Sequence, residues 1–326
     1  MAQLVMGPAG VGKTSYCTLM QEHAASDRRL LHVANMDPAA EYGKEDERIP
    51  YNCAFDVRDL ICASDVMGEL EYGPNGALVY CMEYVVENVD WLIERLDELG
   101  DDDCVLLDCP GQVELYSHIP LMRVLVEALA QRGVRMCGVF LLDASYAAEP
   151  SKFVAGSLVS LAAMVQLEVR DEPRRCVAAA AAAAAATPAP RLRVVRLRLL
   201  PRIPHQLPQV PHINVITKCD LLAPEEVDAF FTRAEEGGDG GGVFLRAAEA
   251  HQARPGTGGK WARLTNALQG VLDDVSLVSY LPLDQRDEES IAMVLAACDH
   301  AYQFFDNVEA REPRADDREG RDLSGG

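Results

Sequence analysis

The chain has 326 residues, 49% of them hydrophobic, with a formal charge of −21 and a pI near 4.7. That acidity argues against a bare nucleic-acid backbone as partner, because phosphate binding wants basic surface. Ten scattered cysteines with no C-x-x-C pair read as a reduced, cytosolic chain rather than a disulfide or zinc framework, and no stretch is long and apolar enough to span a bilayer. The length allows one large α/β domain or two smaller ones.

The apolar run Leu4-Val5-Met6 leads into Gly7-Pro8-Ala9-Gly10-Val11-Gly12-Lys13-Thr14, and a helix-like segment, 15–23, follows. This is G-x-x-x-x-G-K-[ST] with strand before and helix after, the context the pattern requires. Glycines let the backbone wrap an anion without Cβ clashes. The N–H groups of Gly10, Val11, Gly12, Lys13, Thr14 and Ser15 are then expected to face phosphate oxygens at a helix N-terminus. Lys13 is expected at the outer phosphates and Thr14 on Mg²⁺. With a phosphate loop in the first residues, no cleaved leader is expected.

Residues 30–34 read as a buried strand, ended by Asn35-Met36-Asp37-Pro38-Ala39. Asp37 then lies where a loop can face the phosphates, although alone it reads as a turn aspartate. The polar stretch 41–72 carries one short helix signal, near 56–61. Gly73-Pro74-Asn75-Gly76 reads as a turn. A long helix is expected over 77–99. Its apolar seam is Leu78, Met82, Val85, Val89, Leu92, Leu96 and Leu99; its acidic stripe is Glu83, Glu87, Asp90, Glu94 and Asp97. The seam reads as core packing, with a partner-facing surface as the sharper alternative.

The buried strand 104–107 ends in Asp108-Cys109-Pro110-Gly111-Gln112-Val113-Glu114. An acid at the end of an apolar strand, downstream of a phosphate loop, is the expected second Mg²⁺ contact. Gly111 is placed to donate its N–H to a γ-phosphate, and Gln112 to orient a water. Residues 137–143 read as another buried strand, and 151–168 as an amphipathic helix. The block 170–208, with an alanine run and interleaved arginines, is low-complexity and basic. It reads as a disordered insertion or a gene-model artefact, ahead of a basic docking segment.

The next strand, 210–216, ends in Thr217-Lys218-Cys219-Asp220. A carboxylate here accepts from guanine N1 and N2, while adenine would leave it buried and unpaired. The lysine stem can lie over the base. Helices are expected over 221–235, 260–274 and 287–305, loops at 237–242 and 254–259, and a last strand at 277–283 whose end flanks the base. The charged tail from 309 is expected to be disordered. Alternating strands and helices predict an α/β fold with a mostly parallel sheet, helices on both faces and helical insertions, as one domain over 1–308. Nucleotide should lie at the carboxyl ends of the strands.

These motifs, with Leu78-Val79-Tyr80-Cys81-Met82-Glu83-Tyr84 and Asp284-Gln285-Arg286-Asp287-Glu288-Glu289-Ser290, resemble the GPN-loop GTPases. The resemblance spans nearly all of the chain except 170–208, parts of 235–259 and the tail. It implies a SIMIBI-type P-loop NTPase that takes GTP or GDP with Mg²⁺ and works as a dimer. The partner would be a second copy or another GPN-loop GTPase, the family's first paralogue. Asn75, in the loop Gly73-Pro74-Asn75, would reach the partner's phosphates. Related dimeric ATPases carry an extra lysine where this chain has Pro8, so the Asn75 amide is a candidate substitute. By the same resemblance Asp37, Gln112 and Glu114 take Mg²⁺-side and water-orienting roles, with the base unassigned among them. Thr14, Asp108 and Asp37 form the implied metal set. A role in RNA polymerase II assembly and nuclear import is implied, with cytoplasmic location and nuclear shuttling. A nucleotide-bound scaffold with negligible hydrolysis and a small-molecule kinase are the competing readings.

Overall fold

Seven strands form one all-parallel sheet in the order β3-β2-β4-β1-β5-β6-β7. They are β1 (Ala2–Met6), β2 (Leu31–Asn35), β3 (Cys53–Asp56), β4 (Cys104–Asp108), β5 (Met136–Asp143), β6 (His212–Thr217) and β7 (Tyr280–Pro282). The structure, a computed structural model, describes residues 1–40, 50–100, 103–117, 119–148, 150–168, 210–221 and 280–301. The helices are α1 (Lys13–Ser26), α2 (Ala63–Leu70), α3 (Pro74–Glu87), α4 (Val89–Asp97), α5 (Glu114–Ser117), α6 (Leu121–Gln131), α7 (Ala144–Ala148), α8 (Pro150–Glu168) and α9 (Glu288–Ala301).

The central strands are apolar on both faces, as a parallel sheet covered on both sides demands. The strand period of two sorts their side chains into two cores. Leu4, Met6, Ala34, Leu107, Phe140 and Leu142 point to one face, under α3, α4, α6 and α8. Val5, Val33, Leu106, Val139, Leu141 and Val215 point to the other, under Tyr16 and Met20 of α1 and Ile291 and Val294 of α9. Each such buried Val, Leu, Ile, Phe or Met side chain contributes about 1.5–3 kcal/mol. A buried fork joins the two covering helices: Arg29, just after α1, donates to both Asp299 oxygens at 2.5 and 2.7 Å. The cores fix the sheet, and the sheet brings the carboxyl ends of β1, β2, β4, β5 and β6 to one edge.

Several expectations are corrected. The strand expected over 30–34 runs Leu31–Asn35, and Leu30 is 62% exposed. The edge strand β3 has no counterpart in the sequence reading, and the helix expected near 56–61 reduces to a 3-10 turn, Val57–Asp59, capped by the Asp56 carboxylate. Gly73-Pro74-Asn75-Gly76 is not a free turn: Pro74 opens α3 as its first residue, where its missing N–H costs nothing. The helix expected over 77–99 breaks at Asn88, where φ is −110° and ψ 36°; Tyr84 O accepts both its backbone N–H at 3.0 Å and its side-chain amide at 2.8 Å. The seam faces inward in both halves. Leu78, Met82, Val85 and Leu92 are buried, Val89, Leu96 and Leu99 pack against the same core, and Glu87, Asp90, Glu94 and Asp97 are exposed.

Helix α1 is longer than expected. The final strand is described over Tyr280–Pro282 and the final helix over Glu288–Ala301. Of the helix expected over 221–235 only Leu221 is described, in a 3-10 turn; the rest of it, the helix expected over 260–274, the two loops between 237 and 259, the block 170–208 and the tail lie outside the described residues.

Candidate nucleotide site

The loop between β1 and α1 turns on three glycines with positive φ: Gly7 (143°), Gly10 (77°) and Gly12 (95°). At Gly7 a Cβ would also stand 2.6 Å from Leu141 O of β5, so the loop can approach β5 only without a side chain. Lys13 folds back into the loop and donates to Gly7 O and Pro8 O, both at 3.1 Å. Burial pulls its ammonium below the ordinary lysine value, while Asp108 and Asp37 push it back up. Gly111, after β4, packs flush on the loop, since a Cβ there would lie 3.0 Å from Ala9 Cα.

Thr14 Oγ1 lies 2.9 Å from Asp108 Oδ2, and the Tyr51 hydroxyl donates to the same oxygen at 3.3 Å. Burial pushes the Asp108 carboxyl up to about 6, against the pull of Thr14 and Lys13. Burial likewise raises Asp37, which Ala39 N–H, Lys13 and Arg58 offset in part. The Asp37 loop is fixed from below. Asn35 Oδ1 accepts from Asp37 N at 3.0 Å, Asn35 Nδ2 donates to Asp56 at 2.9 Å, and Arg58 clamps Asp56. One buried carboxylate and one half-buried one thus act on one lysine, an arrangement that a divalent cation would complete.

The donor set fits Mg²⁺: Thr14 Oγ1, which donates to Asp108 Oδ2 at 2.9 Å, and that carboxylate are the hard oxygen ligands that would hold the ion beside substrate phosphates and waters. Asp37 sits close enough to bias both groups, but its Oδ1 is held by Ala39 N–H at 2.9 Å.

The expected guanine turn is tied to the phosphate loop by hydrogen bonds. Thr217 Oγ1 donates to Val11 O at 2.7 Å and reaches Leu142 O at 3.1 Å. Lys218, with φ of 62°, donates to Gly10 O at 2.8 Å and pairs with Asp143 Oδ2 at 2.6 Å. Burial alone would raise the Asp143 carboxyl, but Lys218 and the Ser145 N–H outweigh it and hold it below the usual range. Cys219 buries its thiol against Ile216 O, while its N–H donates to Leu283 O at 3.3 Å, so the residue that follows β7 braces the turn. Asp220 is half-exposed in the 3-10 turn Cys219–Leu221. A cleft runs between Gly12 and Ser15 on one side and Lys218, Leu283 and Gln285 on the other.

Lys13, Thr14, Asp37 and Asp108 therefore converge, and the turn carrying Thr217, Lys218 and Asp220 stands beside them. Gln112 Nε2 donates to Asn75 Oδ1 at 2.9 Å. Glu114 does not join them: it is exposed in the first turn of α5, and no hydrogen bond links its carboxylate to Asp37, Asp108 or Gln112. The sequence reading gave no role to Asp143, Tyr51 or Asn35. Asp143 carries the same signal that marks Asp108, an acid at the end of a buried strand; Tyr51 and Asn35 carry none.

A parallel sheet with a phosphate loop after its first strand, an Mg²⁺-type Thr–Asp pair and a T-K-x-D turn braced on that loop defines a P-loop NTPase of the guanine-reading kind. A family profile described as "Conserved hypothetical ATP binding protein" matches residues 5–170. The chain is 38% identical to GPN-loop GTPase 3 of Dictyostelium discoideum, over 95% of this chain and 90% of that protein. It is 37% identical to GPN-loop GTPase 3 of Danio rerio, over 98% and 93%. The chain belongs to the GPN-loop GTPases, in the GPN-loop GTPase 3 group. Among solved structures it shares its fold with a GTPase of Pyrococcus abyssi in its apo form, with a TM-score of 0.62, 19% identity, and coverage of 93% of this chain and 97% of that one.

Proposed function

We propose that this chain binds GTP with Mg²⁺ and hydrolyses it to GDP and phosphate as one half of a dimer. The observation that carries the reading is the pair of hydrogen bonds from Thr217 and Lys218 to the phosphate-loop carbonyls of Val11 and Gly10. They make the base-reading turn and the phosphate cradle one rigid unit, so a nucleotide is held at both ends by groups already in place.

In this reading the backbone N–H groups of the loop, with Lys13, hold the phosphates. Thr14 and Asp108 hold Mg²⁺, which when bound offsets the charge building up on the phosphate oxygens. Gln112 accepts a hydrogen bond from the attacking water and aims it, and Asp37 is the carboxylate assigned to take its proton. The exposure of Glu114 favours Asp37 over it in that role. Asn75 is exposed beside Gln112 and offers its amide to the partner's phosphates. Family membership and the absence of a lysine at Pro8 support the dimer. An RNA polymerase II client, and a cytoplasmic location with nuclear shuttling, belong to the proposal on the resemblance alone.

The test is Asp220→Asn. The amide cannot accept two hydrogen bonds from guanine N1 and N2, so GTP affinity should fall about a hundredfold or more while xanthosine triphosphate affinity rises. Unchanged GTP affinity would overturn the guanine assignment.

A further inference from the structure

The end of β5 carries a carboxylate to which the reaction above gives no part. Asp143 is the last residue of β5 and stands in register with Thr217 of β6, beside the turn that carries Lys218 and Asp220. Its Oδ2 accepts from the Lys218 ammonium at 2.6 Å, and its Oδ1 accepts from Ser145 N–H at 2.8 Å. One oxygen therefore fixes the carboxylate on the start of α7, and the other holds the lysine. Both side chains are half-buried, so the pair is not a fully solvated surface contact.

Lys218 needs such an anchor. Its φ of 62° lies in the left-handed region, which a residue with a Cβ keeps only where its surroundings hold it. Its long stem also has rotamer freedom to lose. The stem crosses Gly12, where a Cβ would stand 4.0 Å from Lys218 Cε, and it forms one wall of the cleft opposite Ser15. The ammonium also donates to Gly10 O at 2.8 Å. That carbonyl is a neutral acceptor, whereas the Asp143 carboxylate brings a full opposite charge to contact distance.

Resting on the guanine-nucleotide reading above, we propose that Asp143 is a positioning residue for nucleotide retention: it holds the Lys218 ammonium so that the lysine stem stays across Gly12 as a wall of the cleft, and bound GDP leaves more slowly. Asp143 itself touches no nucleotide and acts through Lys218 alone. A simpler role gives a different result. If Asp143 served only to cap α7 through Ser145 N–H, its loss would act whether or not Lys218 is present.

The test is a double-mutant cycle in the full chain, read as the dissociation rate of GDP carrying a fluorescent group on its ribose, in Mg²⁺. Asp143→Asn keeps an oxygen for Ser145 N–H and removes the charge. It should raise the rate about tenfold in the otherwise wild-type chain, and less than about twofold when Lys218→Met is already in place. Asp143→Ser, which also keeps a helix cap, should give the same two results and serves where the asparagine variant does not fold. Inorganic pyrophosphate has no base to meet the cleft, so its affinity should be unchanged by Asp143→Asn. A tenfold rise that persists beside Lys218→Met, a rate unmoved by either Asp143 variant, or an equal loss of pyrophosphate affinity would overturn the proposal and leave the guanine reading standing. A wild-type chain that holds ADP as tightly as GDP would overturn that reading itself.

Discussion

Replacing Thr217 by valine tests how the base-reading turn is joined to the phosphate loop. The side chain is 4% exposed, and its hydroxyl donates to Val11 O at 2.7 Å with Leu142 O at 3.1 Å. Valine keeps the shape but deletes the donor. The change removes one buried hydrogen bond and leaves a carbonyl short of a partner, a loss of about 1–3 kcal/mol. Since this bond fixes the loop carbonyl one residue before Gly12, part of the loss should appear as weaker nucleotide binding. About 1.4 kcal/mol of it corresponds to a tenfold rise in Kd. Calorimetric titration should show GDP and a non-hydrolysable GTP analogue weakened by the same factor, because no phosphate or base contact is deleted. Urea unfolding of the nucleotide-free chain gives the stability share. A variant destabilised by that amount yet binding both nucleotides as tightly as the wild type would refute the claim that the bond shapes the pocket.

Other outcomes follow from the same geometry. His212, on β6, stacks on Phe140 with both ring nitrogens shut away from solvent, and burial pulls it down to about 4, a hydrogen bond with Asn214 offsetting only part. The folded state thus keeps it neutral, so its contribution to stability is whole above about pH 6.5 and is lost as pH falls toward 4, by about 1.4 kcal/mol per unit. Between pH 7 and 5, urea melts of His212→Phe should lose about 2 kcal/mol less stability than the wild type; equal losses would count against this placement. Gly7→Ala would set a methyl 2.6 Å from Leu141 O at a φ of 143°, so nucleotide binding should fall below detection, in contrast to Gly133→Ala, where φ is 80° but nothing lies within 4 Å. Tyr51→Phe removes a hydrogen bond to Asp108 Oδ2, and should change the Mg²⁺ concentration that half-maximally slows GDP release while leaving Mg²⁺-free GDP affinity near wild type.

What could be read in advance was whatever chemistry ties to fixed residue types at fixed spacing. The phosphate loop, Asp108 after β4 and the T-K-x-D turn after β6 are of that kind, and so is the alternation of buried strands with helices. Features decided by competition between local preferences were not legible. Pro74 suits a turn and the first position of a helix equally well, and packing of Ala77, Leu78 and Cys81 chose the helix. The break at Asn88 lay hidden beneath a seam that keeps its spacing across it, since a single residue leaving helical φ and ψ is enough to part α3 from α4. Strand β3 is four residues long at the sheet edge, with a single fully buried side chain, Phe55, too little to register as a period. Contacts such as Asn75 with Gln112, or Tyr51 with Asp108, exist only because distant segments meet at the carboxyl edge of the sheet.

The central claim is that a phosphate cradle and a guanine-reading turn form one pocket. The most direct measurement is calorimetric titration of the full chain, in Mg²⁺, with GDP and with ADP. The account predicts saturable one-site binding of GDP and affinity for ADP at least about a hundredfold weaker, since adenine would leave the Asp220 carboxylate without its donor pair. Equal affinity for the two nucleotides, or tighter binding of ADP, would contradict it.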